Sequence, residues 1–135
     1  MDIAKALAIS ARGMDVQTAR LRTIAENLAN QDSTGSTPGA EPYRRKVITF
    51  ENRMDRALDV ETVRVRSVGR DPGELPQRFD PSHPAADARG YVRTPNVNSF
   101  IEVMDMREAQ RGYSANLNVM EVTRAMLTRT LELLK

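Results

Sequence analysis

Cysteine and tryptophan are absent from this chain, histidine occurs once, and aromatic residues make up only 4% of its 135 residues. Without thiols there is no disulfide, no thiolate nucleophile and no cysteine-based zinc site. A single histidine excludes the two-histidine zinc motifs as well. With so few aromatics, any core falls to aliphatic side chains and to seven adaptable methionines, so a well-packed enzyme pocket is not expected. Charge of one sign is lacking too: 20 basic residues are nearly matched by 18 acidic ones, a net charge of +2. That balance is no footprint for nucleic acid. Long apolar runs are also missing. None would span a bilayer, and the longest near the start, residues 6–9, is too short for the apolar region of a secretory leader. A protein of this kind working outside the cytoplasm is expected to leave by a route that reads no cleavable leader.

The residues that usually carry chemistry are sparse or badly placed. His83 lies between Pro81 and Pro84, a rigid setting that suits it to end a turn through its ring nitrogens. No serine sits in a strand-turn-helix elbow that would make His83 part of a hydrolytic triad. Gly35 and Gly39 lack the lysine and hydroxyl residue that a phosphate-cradling loop requires. Asp71, Glu74, Asp80 and Asp87 stand among prolines without aromatic neighbours to form a sugar platform and read as solvated loop charges. Arg44, Arg45 and Lys46 form the densest basic cluster, suited either to an acidic strip on a partner or to guarding the adjoining apolar strand. No catalytic, metal-binding or cofactor-binding residues are assigned, and no small-molecule substrate is expected.

What the chain does have is order in where its prolines fall. All seven lie between Pro38 and Pro95, leaving both ends free to be helical. At the N-terminus Ile3, Leu7, Met14, Leu21, Ile24 and Leu28 follow the four-three spacing of a heptad seam, interrupted by Ser10 and Gln17. At the C-terminus Val103, Met106, Tyr113, Leu117, Met120, Leu127, Leu131 and Leu134 repeat it, interrupted by Gln110 and Arg124. The first helix is expected from about residue 2 to 30, closed by the turn-forming residues 30–35. The second is expected to start just after Pro95, with Ser99 and Glu102 spaced as a capping box and Asn98 as the alternative cap. Gly13 and Gly112 interrupt these helices, each costing roughly 1 kcal/mol relative to alanine. Tolerated surface glycines are the simpler reading, a close helix crossing the functional one.

Between the ends, residues 43–50 and 60–68 are rich in valine, isoleucine and threonine. Val63 and Val65 alternate with Arg64 and Arg66 as in a half-exposed strand. Residues 69–73, Pro76 and residues 80–84 read as turns and extended connections. The expected fold is therefore mainly α with a small β-rich middle, the two long helices packing as a coiled-coil-like hairpin or inner tube. Three parts follow: 1–32 and 96–135 as helical assembly core, and 33–95 as a Pro/Gly-rich middle of marginal independent stability. Long helices need their apolar stripes covered, whether by each other or by neighbouring subunits.

The stretch Ala25-Glu26-Asn27-Leu28-Ala29-Asn30, followed by Ser33-Thr34, resembles the N-terminal signature of rod and hook proteins of the bacterial flagellum. Pro42-Tyr43-Arg44-Arg45-Lys46, Asp80-Pro81-Ser82-His83-Pro84, and Gly90-Tyr91-Val92 with Pro95-Asn96-Val97-Asn98 narrow the resemblance to basal-body rod proteins of the proximal type. Tyr113-Ser114-Ala115-Asn116 extends it into the last helix. The loop before Tyr43 is less glycine-rich than in similar proteins. The resemblance implies a structural subunit of the periplasmic rod, exported by the flagellar type III apparatus and polymerising through its terminal helices to pass torque from rotor to hook. Its implied partners are copies of itself, other rod proteins and the export-gate adaptor at the rod base. Asn27 and Asn30, three apart on one helical face, are expected to bond backbone groups of an adjacent subunit. The competing reading is a cytosolic helical adaptor or chaperone of the export system.

Overall fold

A computed structural model describes residues 2–135. The order of elements is α1 (Ile3–Ala29), β1 (Lys46–Asp55), β2 (Val60–Arg70), β3 (Gln77–Phe79), β4 (Tyr91–Arg93) and α2 (Ser99–Leu133). The fold is thus two long terminal helices with two small sheets between them, as the proline placement predicts. Compactness divides the chain into two units. One comprises the chain up to Leu21 with Ile48–Ser67 and Met106–Lys135; the other comprises Arg22–Val47 with Val68–Asp105. They are called the first and second unit and described separately.

Helix ends follow local rules. Asp2 caps α1, its Oδ1 accepting the Ala4 N–H at 2.9 Å. At the other end the Asn30 amide donates to the Glu26 carbonyl at 2.9 Å and accepts the Ser33 hydroxyl at 3.0 Å, satisfying groups that a helix end leaves open. For α2 the cap is Asn98, whose Oδ1 accepts the Phe100 N–H at 3.1 Å. The Ser99–Glu102 capping box is a correction: Glu102 is fully buried and its carboxylate is held by Arg45 instead. A long-range charge partner outcompetes the reach back to a helix start.

In the first unit, Ile48 onward forms a hairpin with β2. Thr49 and Ser67 share a hydroxyl hydrogen bond at 2.7 Å, Arg64 Nε donates to Glu51 Oε1 at 2.6 Å, and the Thr62 hydroxyl donates to the Arg53 carbonyl at 3.3 Å. The turn is set by Asp55, whose Oδ1 accepts the Ala57 N–H at 3.0 Å, and by Asp59 at a φ of 51°. Aspartate tolerates that left-handed conformation. Val63 and Val65 are half-buried between exposed Arg64 and Arg66, the alternation read from the sequence. The first strand begins at Lys46 rather than at residue 43, because Tyr43 to Arg45 are drawn into other contacts.

In the second unit β3 and β4 pair antiparallel with Arg78 opposite Val92. These strands had not been expected; at three residues each they are too short to show an alternating pattern. Phe79 and Tyr91 meet edge to face with ring centroids 5.3 Å apart. Beside buried glycine and proline, the buried apolar residues among those described are Val16, Ile24, Ala85, Val92 and Ala109. As many polar residues, Ser10, Thr23, Asn27, Thr62 and Glu102, are equally shielded. A fold with so little apolar core depends on satisfying its buried polar groups.

Candidate assembly interface

The apolar seams read from the sequence differ in how they are covered. Along α1, Ile3, Leu7, Met14, Leu21 and Leu28 are half-buried and Ile24 is buried. Along α2, Met106, Tyr113, Met120 and Leu127 are half-buried. The alternate layer, Val103, Leu117 and Leu131, is exposed, and so is Leu134 just past the helix end. Exposure on α2 extends beyond the seam to Phe100, Met104, Val119, Val122, Met126 and Leu133. Three threonines here return their hydroxyls to the carbonyl one turn back, Thr123 to Val119, Thr128 to Arg124 and Thr130 to Met126. The helix surface is thereby made less polar than its sequence suggests.

Within the first unit α1 and α2 meet through small and amide residues. A Cβ on Gly13 would lie 2.8 Å from the Asn116 amide, and one on Gly112 would lie 2.9 Å from Nε2 of Gln17. The arrangement is reciprocal: each helix supplies a glycine and an amide that covers the other's. Asn116 is fixed by donating to the Gly112 carbonyl at 2.9 Å. Arg20 adds an ion pair with Glu108 at 3.2 Å. The reading of these glycines as tolerated surface residues is therefore corrected; they permit a close helix crossing.

In the second unit Asn27 is a structural hub, 1% exposed. Its Oδ1 accepts the Lys46 N–H at 2.8 Å and the Tyr43 hydroxyl at 2.7 Å, while Nδ2 donates to the Lys46 carbonyl at 2.9 Å. The side-chain amide thus pairs with the Lys46 backbone as a neighbouring strand would. Asn27 has partners inside its own chain where the sequence suggested an adjacent subunit's backbone, and Asn30 likewise bonds Glu26 and Ser33. Burial holds the Tyr43 phenol above its ordinary range. Lys46 reaches Glu26 at 2.7 Å, and that hydrogen bond raises its pKa.

The basic cluster also turns inward. Arg44 donates to the Asp71 and Gly73 carbonyls at 3.2 and 3.0 Å. Arg45 binds Glu102 through Nε, with Asp105 at 3.6 Å and Asp71 at 4.0 Å from its outer nitrogens. Its backbone N–H donates to Asn96 Oδ1 at 2.8 Å. The hydrogen bond to Glu102 raises the Arg45 pKa further, and the second Glu102 oxygen has no partner. Neither reading of this cluster, partner strip or strand guard, describes what it does. The sequence carried no signal for the acids 26 to 60 residues away that Arg45 binds.

His83 ends a turn, as its flanking prolines suggested. Nδ1 accepts the Ala85 N–H at 3.0 Å, so the neutral ring carries its proton on Nε2 and donates to the Thr34 hydroxyl at 3.1 Å. With both nitrogens occupied, the ring is not placed to activate a serine. Asp71, Asp80 and Asp87 likewise cap turns, accepting from the Gly73 N–H, the Ser82 hydroxyl and the Arg89 N–H. Among the described residues no helix is long and apolar enough to cross a membrane.

The family described as "Flagellar basal body rod FlgEFG protein C-terminal" matches residues 88–133. The chain is 50% identical over 127 residues to the flagellar basal-body rod protein FlgC of Agrobacterium fabrum, covering 94% of this chain and 91% of that one. It is 42% identical to the FlgC of Aquifex aeolicus, covering 98% and 97%. With the FlgC of Salmonella typhimurium it shares 35% identity over 93% and 92%.

Proposed function

Because the chain belongs to the FlgC family of flagellar basal-body rod proteins, we propose that it is a structural subunit of the proximal rod that polymerises helically through its terminal helices. It transmits torque from rotor to hook, and flagellar assembly and swimming depend on it. The observation that carries the helical part of this reading is the exposure of Val103, Leu117 and Leu131 on α2 and of Leu134 just past its end, which continue a seam whose other apolar residues are half-buried. Each such leucine contributes about 1.5 to 3 kcal/mol once buried, so a copied contact repeated along the shaft is worth far more than exposed ion pairs of at most about 1 kcal/mol. The site comprises Ile3, Leu7, Met14, Leu21, Ile24 and Leu28 on α1 with Val103, Met106, Tyr113, Leu117, Met120, Leu127, Leu131 and Leu134 on α2. Asn27 and Asn30 serve it by fixing the end of α1.

In this reading residues 1–32 and 96–135 form a coiled-coil-like inner tube and residues 33–95 lie outside it. A non-closing helical array needs heterologous contacts, so the face offered differs from the face accepting it. The protein reaches the periplasm through the type III apparatus and contacts other rod proteins and the export-gate adaptor. Cryo-electron microscopy of purified basal bodies tests the assignment. Density for this chain in the rod, with both terminal helices in the inner tube, is the expected result. Recovery from cytosol alone, with no rod density, would replace it with the export-adaptor reading.

A further inference from the structure

The first unit contains a charged cleft that the helical seams do not use. Arg12 of α1, Arg53 of β1, Arg56 of the hairpin turn and Arg64 of β2 line an opening of about 700 Å³. The one acid in its lining among the described residues, Asp55, commits Oδ1 to the Ala57 and Leu58 N–H groups at 3.0 and 3.4 Å. Arg12 and Arg64 pair with Asp15 and Glu51, while Arg53 and Arg56 have no ion pair among the described residues. Arg53 and Arg56 are thus the two guanidinium forks at this opening without an ion pair, and each can take one carboxylate in two parallel hydrogen bonds. Such a volume exceeds what one small anion fills.

From this geometry we infer that the arginine cleft is a second subunit contact, which receives an acidic surface segment from another copy of this chain. The inference rests on the rod reading and goes beyond it, since the contact is electrostatic and lies on the hairpin. Complementary chemistry is present in the chain: Asp32, Glu61 and Glu74 are exposed and have no ion pair among the described residues. A bilayer is a poorer occupant, because among the described residues Met54 is the only apolar side chain in the lining and gives the lipid little to bury.

The test places a photo-crosslinking benzoylphenylalanine at Arg56 in cells that swim, followed by purification of basal bodies and mass mapping of adducts. An adduct to a second copy of this chain within a carboxylate-bearing segment is expected. In parallel, Arg53→Glu with Arg56→Glu should reduce swimming at least tenfold, while Arg53→Lys with Arg56→Lys retains most of it. Circular dichroism of the purified variants should match wild type. Adducts to lipid, to a different protein or to nothing, in basal bodies that do contain the chain, overturn the inference and leave the rod reading intact. Swimming unaffected by the double glutamate variant overturns it equally. Absence of the chain from basal bodies would overturn the rod reading itself, and the subunit contact with it.

Discussion

The two terminal helices carry the same spacing of apolar residues, yet they are covered differently. Every seam position named on α1 is at least half-buried, whereas α2 leaves Val103, Leu117 and Leu131 exposed, with Leu134 exposed just past its end. The pattern of a sequence says which residues want cover, and the fold decides which of them receive it within one chain. Uncovered apolar positions at helical spacing are the mark of a surface awaiting a neighbour. On the rod reading proposed above, the covered positions hold the subunit together and the exposed ones hold subunits to each other.

The sharpest way to break this comparison is to place a charge on each helix. Leu131→Asp is expected to abolish swimming, with secretion retained and the denaturation midpoint of the purified subunit shifted by less than about 0.5 kcal/mol equivalent, as for an exposed site. Leu28→Asp should abolish swimming and also destabilise the subunit by about 2 kcal/mol, since a half-buried leucine loses its burial. Swimming motility and urea unfolding measured on both variants decide the matter. Equal loss of stability in the two would mean that α2 is covered like α1.

Arg45 tests the polar side of the second unit. Arg45→Met leaves Glu102 buried with no cation and should cost about 3 kcal/mol, the lower end for a broken buried pair because Arg45 itself is partly exposed. Adding Glu102→Leu should recover most of that loss, since the pair replaced by apolar groups leaves no orphaned charge. Asn27→Ala, which strands the Lys46 backbone and the Tyr43 hydroxyl, should cost about 2 kcal/mol. Urea titrations of these variants give the order. A cost for Asn27→Ala that appeared only in assembled rods would return this residue to a contact between subunits.

How much of this was legible depends on how far apart the interacting residues lie in the chain. Asp2, Asn98 and the turn after Asn30 act within a few residues, so the helix limits could be read directly. The hairpin also followed its valines. Arg45 reaches acids at 71, 102 and 105, and only folding reveals that the same three basic residues serve as an internal clamp. Glu102 shows the limit most clearly: its spacing from Ser99 satisfies a local capping rule, and a partner 57 residues earlier wins. The apolar positions of the two seams were legible as a set, but which of them lacked cover was not.

The glycine crossing gives a smaller effect of opposite sign to ordinary expectation. In an exposed helix Gly13→Ala would stabilise by about 1 kcal/mol. Here the new methyl would sit 2.8 Å from the Asn116 amide, and Asn116 is already tied to Gly112. The expected net change is zero or mildly destabilising. Combining Gly13→Ala with Asn116→Ala should restore the helical gain, and a double-mutant cycle measured by thermal unfolding isolates the coupling.

The smallest effect concerns the turn after Asp87. Its carboxylate accepts the Tyr91 N–H at 3.0 Å and the Arg89 N–H at 2.8 Å, and the Tyr91 hydrogen bond does most to hold its pKa below the ordinary value of 3.8. A carboxyl that binds its proton more weakly when folded stabilises the fold while ionised. This contribution is complete above about pH 4, declines as the pH falls below the unfolded value, and is gone beneath the depressed folded one. Urea midpoints of wild type and Asp87→Asn should therefore differ at pH 6 and draw together as the pH falls below the ordinary carboxyl value. A difference that stays constant across that window would show that the turn depends on the geometry of the side chain and not on its charge.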